Sequence, residues 1–219
     1  MNKTIIKICD DGFVSIEEVA DGVRSYKNIN PDDLLQCISN SAMRGTTNSG
    51  LLPRNCLSIT MCDDGGRYVS LLHSEDYADI SYYGTTYADF PLPRLVFGFH
   101  VGKEGRIRQS RLGVIADNAM LKPSTLMYHY PFSNVNGFSL CTGNNSLPKC
   151  ESLHTLASLP YLILQMPNND DYFKQHHNKL DMDMRGILEH LKDKTPEYYY
   201  QEVLNPSPKT LKDFINFQN

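Results

Sequence analysis

The sequence predicts a single-domain α+β fold. The order is a helix, a four-stranded antiparallel meander, a cysteine-bearing loop and C-terminal helices, with an N-terminal β-hairpin as an extension. Three observations predict it. Asp63-Asp64-Gly65-Gly66 and Gly102-Lys103-Glu104-Gly105 each join two runs rich in branched and aromatic residues, which makes two hairpins. Asn30-Pro31-Asp32-Asp33 reads as the start of a helix placed ahead of them. Met184, Ile187, Leu188 and Leu191 recur at i, i+3, i+4 and i+7, the stripe of an amphipathic helix behind them.

In chain order, TIIKIC and FVSIEEVA flank the turn Asp10-Asp11-Gly12, and a second turn at Asp21-Gly22 precedes VRSYKNI. In the helix that follows, Asn30 caps, Pro31 lies in the first turn, and Asp32 and Asp33 sit near the positive end of the dipole. Leu34, Leu35 and Ile38 form its apolar stripe, and it ends near Gly45 before the loop TTNSG. NCLSITMC and RYVSLLHS make the first hairpin, and RLVFGFHV and RIRQSRLGVIA the second; residues 75–92 between them read as a long polar and aromatic connection. A helix over Glu151 to Leu159 is ended by Pro160. YLILQM is short and all apolar, so helix and buried strand remain equally open. Asp181 or Asp183 caps the amphipathic helix, and Leu211, Phe214 and Ile215 mark a last short helix after Pro206 and Pro208. The expected organisation is residues 1–30 as hairpin extension, 31–165 as core and 166–219 as C-terminal helical extension.

Composition narrows the function classes. Of the 219 residues 41% are hydrophobic and 21% charged, so a folded core is expected. A net charge of −4 gives no electrostatic case for nucleic acid or an anionic membrane as partner. No apolar run approaches the roughly 20 residues of a membrane helix, and MNKTIIKICDDG lacks a signal-peptide cleavage site. The six cysteines, at 9, 37, 56, 62, 141 and 150, include no C-x-x-C pair. They are expected to be free, mostly buried thiols in a reducing cytoplasm, with no metal site and no cofactor.

The stretch YHYPFSNVNGFSLCTGNNSLP, residues 128–148, carries the chemistry. It sets Cys141 between a glycine-punctuated turn and a polar loop, at the end of a short apolar segment. By default a lone cysteine after an aliphatic residue is a small core residue, and Asn134, Asn136 and Gly137 are ordinary turn residues. The surrounding pattern favours nucleophilic use of the thiol. An ordinary cysteine is only slightly ionised at neutral pH, yet sulfur is nucleophilic enough to accept an already activated acyl group. Elsewhere, His176-His177 beside Asp170-Asp171 reads as solvated, and Arg106, Arg108 and Arg111 as a solvated strand face or a basic face for a partner.

The order of elements resembles that of ubiquitin-conjugating enzymes, whose active cysteine follows His-Pro-Asn, a few residues, Gly, and then an aliphatic residue and Cys. Phe132-Ser133-Asn134-Val135-Asn136-Gly137-Phe138-Ser139-Leu140-Cys141 keeps the asparagine, glycine, aliphatic residue and cysteine, and lacks the His and Pro; His129 and Pro131 lie out of register. PLPRLVFGFHV, LKPSTLMYHYPFSNV and GFSLCTGNNSLP resemble the bacterial branch, protein B of the ParB-related, ThiF-related cassette (PRTRC) system. The resemblance implies that Cys141 carries a ubiquitin-like modifier as a thioester and passes it to an amine. It implies as partners a ThiF-like adenylating enzyme, the modifier and a JAB-type metallopeptidase. Asn134 then either donates to the oxyanion or braces the loop, Gly137 supplies the turn, and an acidic residue orienting the incoming lysine falls near Asp170 or Asp171. Two other functions compete: a non-catalytic conjugating-enzyme-like binding or scaffold protein, and a cysteine hydrolase with His129 or His154 as base.

Overall fold

The computed structural model describes residues 3–9, 12–42, 48–74, 77–118 and 120–217. Two compact units are found, Met1–Asn48 and Ser49–Asn219. In the first, β1 (Lys3–Ile8), β2 (Val14–Ala20) and β3 (Val23–Ile29) form an antiparallel sheet in that order, followed by α1 (Pro31–Ala42). The expected hairpin is therefore two-thirds of a three-stranded sheet. Its second turn places both Asp21 (φ 51°) and Gly22 (φ 83°) in the left-handed region, as a tight two-residue hairpin turn requires. Asn30 caps α1, its Oδ1 accepting from the Asp32 N–H at 3.1 Å. Of its apolar stripe, Leu34 is half-buried, while Leu35 and Ile38 are exposed. Asp10, Asp11 and the expected helix end near Gly45 lie outside the described residues.

In the second unit the expected strands are β4 (Cys56–Met61) and β5 (Arg67–His73), then β8 (Leu95–Val101) and β9 (Ile107–Ile115), paired antiparallel in the order β4-β5-β8-β9. Between them, residues expected to be a connection form a separate hairpin, β6 (Tyr77–Tyr82) with β7 (Thr85–Pro91). Its turn is Tyr83-Gly84, with φ of 43° and 79°. A tyrosine rarely takes that conformation, so the usual Asn-Gly or Asp-Gly signal is missing.

Strand β8 is central, which explains the apolar run Leu95 to Phe99: alternate side chains enter different cores. Leu95, Phe97 and Phe99 join the larger core with Val69, Leu71, Ile187, Leu188, Leu191 and Tyr199. Val96 points the other way, into a smaller core with Ile115, Met127, Phe138, Leu211 and Phe214. The sheet continues past β9 through β10 (Leu126–Tyr128) on one path and β11 (Val135–Asn136) with β12 (Ser139–Leu140) on another. Arg111 of β9, expected on a solvated face, is instead 1% exposed. Its guanidinium donates to the Phe214 carbonyl at 2.9 Å and lies 5.2, 5.2 and 4.9 Å from the ring centres of Phe138, Phe214 and Phe217. Burial pulls its pKa down to about 10, which leaves it charged at neutral pH.

Beyond Cys141 the helices differ from expectation at one proline. A 3-10 turn, Leu153–Ser158, runs into α2 (Leu159–Leu164), and Pro160 lies in the first turn of α2 where it had been expected to end a helix. The missing proline N–H costs nothing at that position. This assigns YLIL to a helix. Next come α3 (Met184–Leu191), a single turn α4 (Pro196–Tyr198) and a π-helical turn, Tyr199–Val203. The chain ends in β13 (Pro206–Thr210) and α5 (Leu211–Ile215). Strand β13 pairs with β10, so the expected C-terminal helical extension also contributes an edge strand, where Pro206 and Pro208 are tolerated.

Of the two aspartates proposed to cap α3, Asp183 does so, its Oδ1 accepting from the Gly186 N–H at 2.6 Å. Asp183→Ala is expected to lower stability by about 1 kcal/mol, the usual worth of such a cap. Urea unfolding measures this directly, and an unchanged midpoint would show the cap to be idle.

Candidate active site

Cys141 is held by a two-residue-long hairpin. β11 pairs with β12 through Val135↔Leu140 and Asn136↔Ser139, and Gly137, with φ 61°, turns the chain between them. The hairpin docks on the main sheet, with Ser139 opposite Arg111 and the Leu112 N–H donating to the Phe138 carbonyl at 3.0 Å. Phe138 anchors it from below by an edge contact with Phe214, 5.1 Å between ring centres. Cys141 itself is exposed. The expectation of mostly buried thiols is therefore wrong for this chain: of the six free cysteines only Cys150 is buried, while Cys9, Cys37 and Cys141 are exposed.

The structure brings Asn134 and Cys141 together. The Cys141 N–H donates to the Asn134 carbonyl at 2.8 Å, and both residues line a crevice of about 20 Å³ with Leu140, Ser133, Met166 and Asn168. Asn134 has φ 64°, a left-handed conformation that asparagine tolerates better than most side chains. Its N–H donates to the Asp171 carbonyl at 2.7 Å and its Nδ2 to the Asn168 Oδ1 at 3.3 Å. That carbonyl oxygen of Asn168 also accepts from the Ser133 hydroxyl at 3.3 Å.

Asn168 is the crevice residue that sequence reasoning missed. Its backbone N–H donates to the Ser81 carbonyl at 2.7 Å and its Nδ2 to the same carbonyl at 3.2 Å, so it ties β6 to the cysteine loop. The signal available was the turn-rich stretch Pro167-Asn168-Asn169-Asp170-Asp171, in which the two aspartates drew attention. Asp170 accepts from the Tyr82 hydroxyl at 2.7 Å, and the Asp171 carboxylate from the Asn169 side-chain amide at 2.8 Å. Burial, and then that bond to Asp170, push the Tyr82 hydroxyl up to about 12.

Where conjugating enzymes carry His and Pro, this chain has Phe132 and Ser133. Phe132 is buried against the rings of Tyr130, Phe90 and Tyr199, at 5.5, 5.8 and 6.2 Å. Aromatic packing and the Asn168 amide thus hold the loop. Among the described residues no histidine lines the crevice. His154 pairs its Nδ1 with the Ser152 hydroxyl at 2.9 Å, and His129 stacks on His177 with ring centres 4.5 Å apart. Residues after Cys141 form a turn closed by the Asn145 N–H on the Thr142 carbonyl, not a helix whose dipole would favour a thiolate.

Of the adjacent histidines expected in solvent, His176 is exposed but His177 is buried. Burial first, and then the neighbouring His129, pull the His177 pKa from 6.5 down to about 4. The unfolded chain takes up this proton first, so stability is complete above pH 6.5 and is lost as pH falls towards 4. Urea midpoints are expected to drop across that window, with a shallower drop in His177→Gln; parallel curves would remove His177 as the cause.

No helix among the described residues is long and apolar enough to cross a membrane. No curated protein and no solved structure is significantly similar to the chain. Comparison with protein families matches residues 33–206, a span that includes Asn134, Cys141 and Asn168. With most of its length so matched, the chain belongs to prokaryotic E2 family D.

Proposed function

We propose that the protein is a conjugating enzyme that carries a ubiquitin-like modifier as a thioester on Cys141. The Cys141 thiolate attacks the modifier's C-terminal carbonyl and displaces the thiolate of a ThiF-like adenylating enzyme. An amine then attacks the new thioester, the C–S bond breaks, and an amide forms as the Cys141 thiolate leaves. Each transfer passes through an oxyanion that needs a donor. Asn134 is the residue proposed for this, with Asn168 holding its amide in position. The relation to PRTRC protein B, with a JAB-type peptidase removing the modifier, is part of the same reading and rests on the sequence around GFSLCTGNNSLP.

The observation that carries the proposal is an exposed thiol over a crevice of only about 20 Å³. Pockets for small organic substrates are typically about 300–1,000 Å³. A crevice of that size cannot enclose such a substrate, which favours an acyl donor that lies along the surface, as the extended tail of a protein does. A hydrolase is disfavoured because neither His129 nor His154 lines the crevice. A purely binding role is favoured only by Phe132 standing where the motif histidine would be. The test is to combine the full chain with adenylating enzyme, modifier and ATP. A covalent adduct released by a thiol reductant is expected; no adduct from an active adenylating enzyme would leave the binding role.

A further inference from the structure

We propose that Cys62, Asp64 and His100 form a binding site for a thiophilic divalent cation, Zn²⁺ by chemical class. One ligand atom from each residue lies within 4.8 Å of the other two. Two hairpin features bring them together. Cys62 and Asp64 flank one residue of the β4–β5 turn, which is closed by the Cys62 N–H on the Gly66 carbonyl at 3.0 Å and the Gly65 N–H on the Cys62 carbonyl at 3.0 Å. His100 comes from β8, brought alongside by the register Tyr68↔His100. Bonds of about 2.0–2.3 Å to a tetrahedral ion set ligand atoms about 3.3–3.8 Å apart. Side-chain rotation of about 1 Å closes the observed triangle onto that geometry, leaving a fourth position for water or an outside ligand.

Two further observations point at a ligand. The His100 Nε2 is buried and has no hydrogen-bond partner, an expensive state for a ring nitrogen unless something coordinates it. A Cβ on Gly66 would lie 2.9 Å from the Asp64 Oδ1, 3.1 Å from the Val101 carbonyl and 3.3 Å from the His100 Nε2, and the Gly66 N–H donates to that Oδ1 at 2.8 Å, so glycine lets the turn hold the carboxylate beside the imidazole.

Charge balances as well. Thiolate and carboxylate together neutralise a dication. Arg108, 2.8 Å from the Asp64 Oδ2, has Glu104 as a second carboxylate at 3.2 Å and so is not left unpaired. Such an ion would staple the β4–β5 turn to β8; none of its three ligands lines the Cys141 crevice, and the proposal does not rest on the function proposed for that crevice.

The test uses the full chain, reduced and stripped with a chelator, then titrated with Co²⁺ and afterwards Zn²⁺. One equivalent of Co²⁺ is expected to bind with a thiolate-to-cobalt charge-transfer band that Zn²⁺ displaces. Cys62→Ser should abolish the band, and His100→Gln should weaken binding by at least about 100-fold, the upper end of what loss of a mere outer partner costs. Cys56→Ser and Cys141→Ser should leave it intact. A second readout needs no variant: bound Zn²⁺ should protect Cys62 of the wild-type chain from alkylation, read by peptide mass spectrometry. Absence of the band, a band that survives in folded Cys62→Ser, or equal labelling of Cys62 with and without Zn²⁺ would each overturn the assignment.

Discussion

Cys141→Ala is expected to abolish every covalent adduct with the modifier, and Cys141→Ser to trap an adduct that a thiol reductant no longer releases. The exposed thiol is the sole nucleophile among the residues lining its crevice whose acyl product a reductant would cleave. Serine keeps the shape and replaces the thioester with an oxyester, which reductant does not attack. Neither substitution should disturb the fold, because the side chain reaches solvent and the loop is held by backbone, through the Cys141 N–H and the Asn134 carbonyl at 2.8 Å. Gel mobility with and without reductant, alongside circular dichroism, reads both halves of the expectation. An adduct that persists in Cys141→Ala would move the chemistry to another cysteine.

The second large effect is at Asn134. Its φ of 64° makes alanine an ambiguous probe, because a left-handed alanine adds about 1–2 kcal/mol of backbone strain to the loss of the amide. Glycine accepts that backbone freely. Asn134→Gly is therefore expected to leave folding and Cys141 loading largely intact while slowing transfer to an amine by about 10²–10³, the scale of one lost oxyanion donor. Asn134→Asp keeps the shape but removes the N–H that now rests on the Asn168 Oδ1, and sets negative charge where an oxyanion must form, so it should be at least as slow. Single-turnover discharge of the preloaded thioester separates these effects from charging. A rate for Asn134→Gly within a few-fold of wild type would reduce Asn134 to a turn residue.

Much of the scaffold was legible because its signals are local. Asp63-Asp64-Gly65-Gly66 and Gly102-Lys103-Glu104-Gly105 state their turns outright, and the four strands they join pair as expected. The stripe Met184, Ile187, Leu188 and Leu191 is buried as its spacing requires. The hairpin β6–β7 escaped notice because its turn uses a left-handed tyrosine, and β13 because two prolines argue against a strand unless it lies at an edge. Arg111 was misread since a polar residue in an alternating strand ordinarily faces water; here three phenylalanine rings and a carbonyl receive it.

At the site, the sequence by itself determined the nucleophile candidate, its asparagine and the glycine turn between them, because Asn134, Gly137 and Cys141 lie within one short hairpin whose pattern is read along the chain. Only the tertiary structure decided what steadies that hairpin and what meets His100. Asn168 is 34 residues from Asn134, and His100 lies far along the chain from Cys62, so strand pairing and loop packing, which leave no periodic trace in sequence, set those contacts. Local backbone preference is written residue by residue, whereas the partner of a buried amide or imidazole is chosen by whichever distant segment the folded sheet brings within hydrogen-bond reach.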